Sequence, residues 1–138
     1  VKLRDTPENR VVAASLLGTK GLVWLERNDI GMADYGSSRV PYGVGGRGGS
    51  DYIGAVLPPH RNAGRFLAVE FKRQGGKPDE ADLTRRLAAG DYCPGQCRHE
   101  LCKLVLQWMF ILKVRASGGI ALFADCPEDI IQAIEEAR

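Results

Sequence analysis

No run in this 138-residue sequence reaches the roughly 18 consecutive apolar residues that a membrane-spanning helix needs. No charged-then-apolar leader with a small-residue cleavage site opens it either. The expectation is a soluble, cytoplasmic chain with no membrane partner. A strong charge of one sign is also missing: 19 Lys and Arg against 17 Asp and Glu leave a formal net charge of only +2. The global balance therefore does not announce a nucleic-acid binder. Internal repeats, low-complexity tails and a convincing domain boundary are absent, which leaves one domain over residues 1–138. With 44% hydrophobic residues, that domain has enough apolar material for a core. The glycine-rich stretch PYGVGGRGGSD lacks the Gly-Lys-Ser/Thr ending of a phosphate-binding loop, and no helical pattern follows it.

What is present is uneven. Between Arg39 and Lys77 stand seven basic residues (Arg39, Arg47, Arg61, Arg65, Lys72, Arg73 and Lys77) against Asp51 and Glu70, a local +5. From Asp125 onward five acids face only Arg138. That asymmetry fits a surface meeting a polyanion, and it fits a merely solvated face equally well.

The pattern predicts a helix in DTPENRVVAASLLGTKG, capped by Asp5 or Thr6, with Pro7 in its first turn and Gly18 or Gly21 at its end. LVWLER reads as a strand. The Gly- and Ser-rich region from Gly31 to Gly49 holds one short strand, SSRVPY. SDYIGAVL and RFLAVEFK, separated by the turn composition PPHRNAG, read as an antiparallel hairpin in which His60 is a solvated loop residue. DEADLTRRLAAG is a short amphipathic helix stopped by Gly90. RHELCKLVLQWMFILKVRAS is a long helix closed by Gly118 and Gly119, with LVLQWMFIL apolar on every side but Gln107 and therefore buried. IALFAD is a last strand and CPEDIIQAIEEAR a last helix.

Within AVEFKR, residues 68–73, Glu70 and Lys72 share one face of a strand while Val69 and Phe71 take the other. An ordinary ion pair on an exposed strand is the commoner reason for such a spacing. Asp51 opens the first hairpin strand and Glu70 lies near the end of the second, so antiparallel pairing can bring them together. Two carboxylates there, with the main-chain carbonyl of Phe71, suit Mg²⁺, which keeps several waters and takes phosphate oxygens for the rest. Lys72 would orient a water or offset charge on phosphate.

The ordered set GGSDYIG, GRFLAVEFKRQGG, Gln107 with Phe110, and ASGGIALFADCPED, with Glu8 on the upstream helix and VWLERN after it, resembles the virus-type replication-repair nuclease (VRR-NUC) domain of the PD-(D/E)xK superfamily. The likeness runs over nearly the whole chain. It implies an α/β fold with a restriction-endonuclease-like core, a central mixed β-sheet flanked by helices. It implies that Asp51 and Glu70 bind Mg²⁺ or Mn²⁺, that Lys72 is the catalytic lysine, and that Gln107 and Glu8 support them. The implied activity is DNA endonuclease, acting on branched or four-way-junction DNA as a homodimer in a bacterial or phage-infected cell. A non-catalytic DNA-binding module on the same fold is the alternative, which the intact Asp51, Glu70 and Lys72 set disfavours. Glu8 also suits a helix N-terminus electrostatically. A lone amide such as Gln107 inside an apolar helix needs partners, from an active site or from backbone. The glycines from 43 to 49 let backbone approach a phosphate chain, with Arg39, Arg47, Arg73 and Lys77 for phosphate contacts; equally, they make a mobile loop.

The chain departs from the family in residues 79–106, a longer helical and cysteine-rich segment. Cys93, Cys97, His99 and Cys102 offer ligands for a structural Zn²⁺, although the spacing is not a double C-x-x-C, and free thiols in a loop are the simpler reading. Cys126 reads as a small core residue.

Overall fold

The computed structural model describes residues 4–94 and 97–138. Thr6 caps the first helix, α1 (Pro7–Gly18), accepting from the Asn9 N–H at 3.1 Å, while Asp5 instead pairs with Arg10 at 2.7 Å. The helix runs through Gly18 to a cap at Thr19, whose hydroxyl donates to the Ser15 carbonyl at 2.7 Å. Gly18 is thus its last residue, one of the two ends expected from the sequence. A Cβ there would sit 2.8 Å from the Pro127 side chain, so glycine lets another helix approach.

Strand β1 (Val23–Arg27) follows, then β2 (Gly31–Tyr35) and β3 (Ser38–Tyr42), which pair only with each other. Sequence patterning gave β3 alone, because MADY carries one small and one acidic residue and little β-branching. The hairpin of β4 (Tyr52–Val56) and β5 (Phe66–Phe71) is antiparallel, with Tyr52 opposite Val69. After β5 come α2 (Glu80–Ala89) and α3 (Glu100–Ala116), and β6 (Ile120–Ala124) returns parallel to β5 before α4 (Pro127–Glu136). The main sheet has the order β1-β4-β5-β6, mixed because only its last pair is parallel. Asp79 caps α2 by accepting from the Ala81 and Asp82 N–H groups, and Gly90 closes it at φ 69°, a left-handed cap.

Strand alternation sorts the core into two layers. Leu67, Val69 and Phe71 face α1 and α4, meeting Val11, Val12, Ile130 and Ile134. Ala68 continues the other way, with Ala121 and Phe123, against Val105, Trp108 and Ile111 of α3 and Leu83 of α2. α3 is buried along only that stripe. Leu106 and Phe110 turn aside and are covered by the glycine-rich loop, where a Cβ on Gly48 would meet Leu106 at 2.9 Å and one on Gly45 would collide with the Phe110 ring. Glycine in this loop therefore serves packing on α3. No helix among the described residues is long and apolar enough to cross a membrane.

Candidate active site

Because β5 has apolar neighbours on both faces, Glu70 and Lys72 are drawn into the sheet and extend the row begun by Ala68 toward α3. Glu70 is 3% exposed. Asp51, one residue before β4, continues the ladder opposite Glu70, and its N–H donates to Glu70 Oε2 at 3.0 Å. From α3 comes Gln107, whose two ends join the acid and the base. Its Nε2 donates to Glu70 Oε1 at 2.7 Å, and its Oε1 accepts from Lys72 Nζ at 3.0 Å. Lys72 Nζ also lies 3.8 Å from Glu70 Oε1 and 5.7 Å from the centre of the Phe123 ring. The half-buried amide is thus satisfied by side chains of this cluster.

Strand geometry aims the Phe71 backbone as well. The Lys72 N–H donates to the Ala124 carbonyl on β6 at 2.8 Å. N–H and C=O of one residue point to the same side of a strand, and consecutive residues alternate. The Phe71 pair therefore faces β4 and Asp51, where its N–H favours the ionised Asp51 carboxyl.

Two carboxyls crowded out of water cannot both ionise easily. Burial pushes Glu70 up to about 9, and the neighbouring Asp51 pushes it the same way against the opposing pull of Lys72. Asp51 is also raised, by burial first, with its hydrogen bond to Glu70 and the charge of Lys72 working against the rise. Glu8, in the first turn of α1, is raised by partial desolvation and then by Asp51, which places it at the margin of the same cluster.

An all-oxygen set of two carboxylates and a main-chain carbonyl fits a hard divalent cation.

The basic residues scatter. Arg39, on β3, pairs with Asp34 at 3.2 Å, and Arg47 donates to the Cys97 carbonyl. Lys77 is held 3.0 Å from Asp129 and 3.9 Å from Asp125. Arg73 follows Lys72 and is exposed, with no side-chain ion pair among the described residues. Arg61 and Arg65 stand at the opposite end of the hairpin, so the basic tract is not one surface. Arg61 donates to the Ala137 carbonyl at 2.9 Å, and Arg65 donates to those of Gly118 and Arg138 at 3.0 Å each. His60 is not a solvated loop residue: its side chain is 14% exposed and lies 2.9 Å from Glu135.

The zinc set is not assembled. Among the described residues no three of Cys93, Cys97, His99 and Cys102 bring ligand atoms within 4.8 Å of one another. The contacts made there are the Cys93 N–H on Cys102 Sγ at 3.3 Å and the His99 N–H on Cys97 Sγ at 3.4 Å. Among the described residues one cluster meets that distance, Asp125, Cys126 and Asp129, where Cys126 is the cap residue of α4 and half-buried, not core. Lys77 already sits against both of its carboxylates.

Patterning missed the role of Asn28. Its side chain donates to the carbonyls of Val44 at 2.8 Å and Ser50 at 3.0 Å and accepts from the Val44 N–H at 3.0 Å. Its own N–H donates to the Asp51 carbonyl at 2.7 Å. Asn28 thus clasps both ends of the glycine-rich loop and fixes where Asp51 enters β4. The only sequence signal was an Asn directly after a strand.

No family model matches this chain, and neither a curated protein nor a solved structure does.

Proposed function

We propose that the chain is a Mg²⁺- or Mn²⁺-dependent DNA endonuclease with a PD-(D/E)xK core of the VRR-NUC type. The observation that carries this reading is the convergence, at one end of a hairpin, of Asp51, Glu70 and Lys72, with Gln107 bonded to both Glu70 and Lys72. Asp51, Glu70 and the Phe71 carbonyl are the groups that would hold the cation. When bound, the metal supplies Lewis acidity and lowers the pKa of a coordinated water.

The chain's own residues do the rest. Asp51 and Glu70 would hold the cation through their ionised carboxylates, and its charge would offset the crowding of the two acids. Lys72 directs its ammonium toward the space beside Glu70, where it orients the attacking water or offsets charge developing on the phosphate. Gln107 fixes both partners: its amide cannot turn over without opposing donor to donor at Lys72. Arg73 and Arg47 are the basic side chains most suited to phosphate contacts, Arg73 because no acid holds it. Lys77 is already neutralised. Branched DNA and a homodimer belong to the same reading, since resolving a four-way junction takes two symmetric nicks and a two-fold dimer supplies two sites.

The test is cleavage of end-labelled linear, flap and four-way-junction DNA with Mg²⁺, with Mn²⁺ and with chelator. Metal-dependent nicking that disappears in Glu70→Gln and Lys72→Ala supports the reading. Undiminished nicking by either variant rejects it.

A further inference from the structure

The ribbon of β2 and β3 stands apart from the main sheet. Its loop has two residues, Gly36 and Ser37. Gly36 has φ 59° and Ser37, like every described residue other than glycine, has no positive φ, the pattern of a type II′ turn. In such a hairpin the flanking residues, Tyr35 and Ser38, exchange the first pair of hydrogen bonds. Gly31, Ala33, Val40 and Tyr42 therefore also point their backbone groups inward, while Met32 and Asp34 of β2 and Arg39 and Pro41 of β3 point theirs outward. The β3 edge is guarded, because Pro41 has no N–H to offer. The β2 edge presents two complete donor and acceptor sets.

The side chains are as open as the edge. Tyr35 is 73% exposed, Tyr42 49%, Met32 48% and Val40 44%. Cross-strand register puts Ala33, Tyr35, Val40 and Tyr42 on one face, an apolar stripe. The only charges between Gly31 and Tyr42 are Asp34 and Arg39, paired at 3.2 Å, so the ribbon is neutral and offers a polyanion nothing. A lone two-stranded ribbon is marginally stable in water, and an unguarded edge is a template for pairing.

We propose that β2 pairs antiparallel with β2 of a second copy of this chain, about a two-fold axis through Ala33, to form a four-stranded sheet with β3 at each rim. Only this register sets Met32 opposite Asp34 of the second copy at both ends, closing four backbone hydrogen bonds. Shifted one way, Asp34 faces Asp34 of the second copy, a like-charge pair. Shifted the other way, Asp34 meets Ile30, beyond the strand. Each Asp34 keeps its Arg39, and the two apolar stripes become continuous. The assembly is isologous and closes on itself. This inference assigns the interface of the homodimer in the proposed function, and a monomer that still nicks DNA with metal would overturn it while leaving the cation site standing.

In the proposed register the two Ala33 residues form a non-hydrogen-bonded pair with Cα atoms about 4.5 Å apart, within disulfide range. In a Cys93→Ser background, Ala33→Cys is expected to give a covalent dimer within minutes of mild oxidation, and Arg39→Cys on the guarded edge is not. Light scattering at micromolar concentration is expected to give twice the chain mass. Met32→Pro, which removes an outward N–H and leaves the inner ladder intact, is expected to halve it with unchanged circular dichroism. A monomeric parent chain, equal crosslinking from both cysteine variants, or a Met32→Pro protein that stays dimeric overturns the proposal. So does a monomer whose DNA affinity falls on that substitution, which would make the ribbon a nucleic-acid contact.

Discussion

The two ends of the β4–β5 hairpin both bury polar side chains, and they treat them in opposite ways. At the turn end, Asn62 is 6% exposed, and its amide donates to the Ile134 carbonyl at 2.8 Å and that of Ala137 at 3.2 Å. Its own oxygen accepts from Arg65 at 3.1 Å, and the Asn62 N–H donates to His60 Nδ1 at 3.0 Å. These groups, with Arg61 and Arg65, bond the carbonyls at the end of α4 and tie that helix to the sheet, with no acid buried among them. At the other end, Asp51 and Glu70 face each other across the ladder, with one lysine and one amide for company. A polar cluster whose members are all satisfied acts as a clamp. One that crowds two carboxyls out of water holds a charge imbalance that a bound cation would relieve.

The comparison breaks most visibly at Glu70. Glu70→Gln is expected to lower DNA cleavage by about 10³-fold or more, since it removes a ligand of the proposed cation site, and to leave the fold intact; single-turnover assays with circular dichroism check both. Gln107→Ala acts from outside the ligand set, and its expected loss is about 10- to 100-fold. At the clamp end, Asn62→Ala strands buried carbonyls and the Arg65 guanidinium. It should cost about 1–3 kcal/mol and lower Tm by roughly 3–10 °C with cleavage per folded molecule unchanged.

The pH response separates the two ends further. Glu70 titrates at about 9 in the folded chain against 4.5 for a free glutamate. The folded state thus binds a proton that the unfolded state has lost, so this stabilising contribution is full below about 4.5 and fades as pH rises toward 9. Raised Asp51 acts in the same direction. Metal-free protein should lose thermal stability across that window, while the Glu70→Gln protein should follow a flatter profile. Mg²⁺ should restore stability at pH 8 only in the parent chain. The smallest effect concerns the scattered cations: Arg73→Ala is expected to weaken DNA binding and reduce the salt slope by about one, and Lys77→Met to change neither.

Much of the fold is legible because its signals are local. Pro7 after Thr6, Gly90 in the left-handed region and the alternation in FLAVEF each state their element without help from the rest of the chain. The pairing of Asp51 with Glu70 is legible too, because β5 is buried on both faces and a slipped register would turn its apolar residues out of the core, even though nine residues join the two strands. What escaped reading depends on distant neighbours. Gly18 is glycine because α4 passes beside it, and Gly45 and Gly48 because α3 lies underneath. Arg61 and Arg65 look like free charge until the end of α4 folds back onto them. Proximity in sequence made Cys93, Cys97, His99 and Cys102 look like a ligand set, yet their side chains do not converge.

The central claim, that Asp51 and Glu70 form a cation site serving phosphodiester cleavage, is tested most directly by titrating Mn²⁺ into metal-free protein at pH 7.5 and following the free ion by electron paramagnetic resonance, with nicking of a labelled junction measured in the same samples. The account predicts one Mn²⁺ site per chain that disappears in Glu70→Gln, with nicking rising in step with its occupancy. Equal Mn²⁺ uptake by the parent and Glu70→Gln proteins, or nicking that is independent of occupancy, would contradict it.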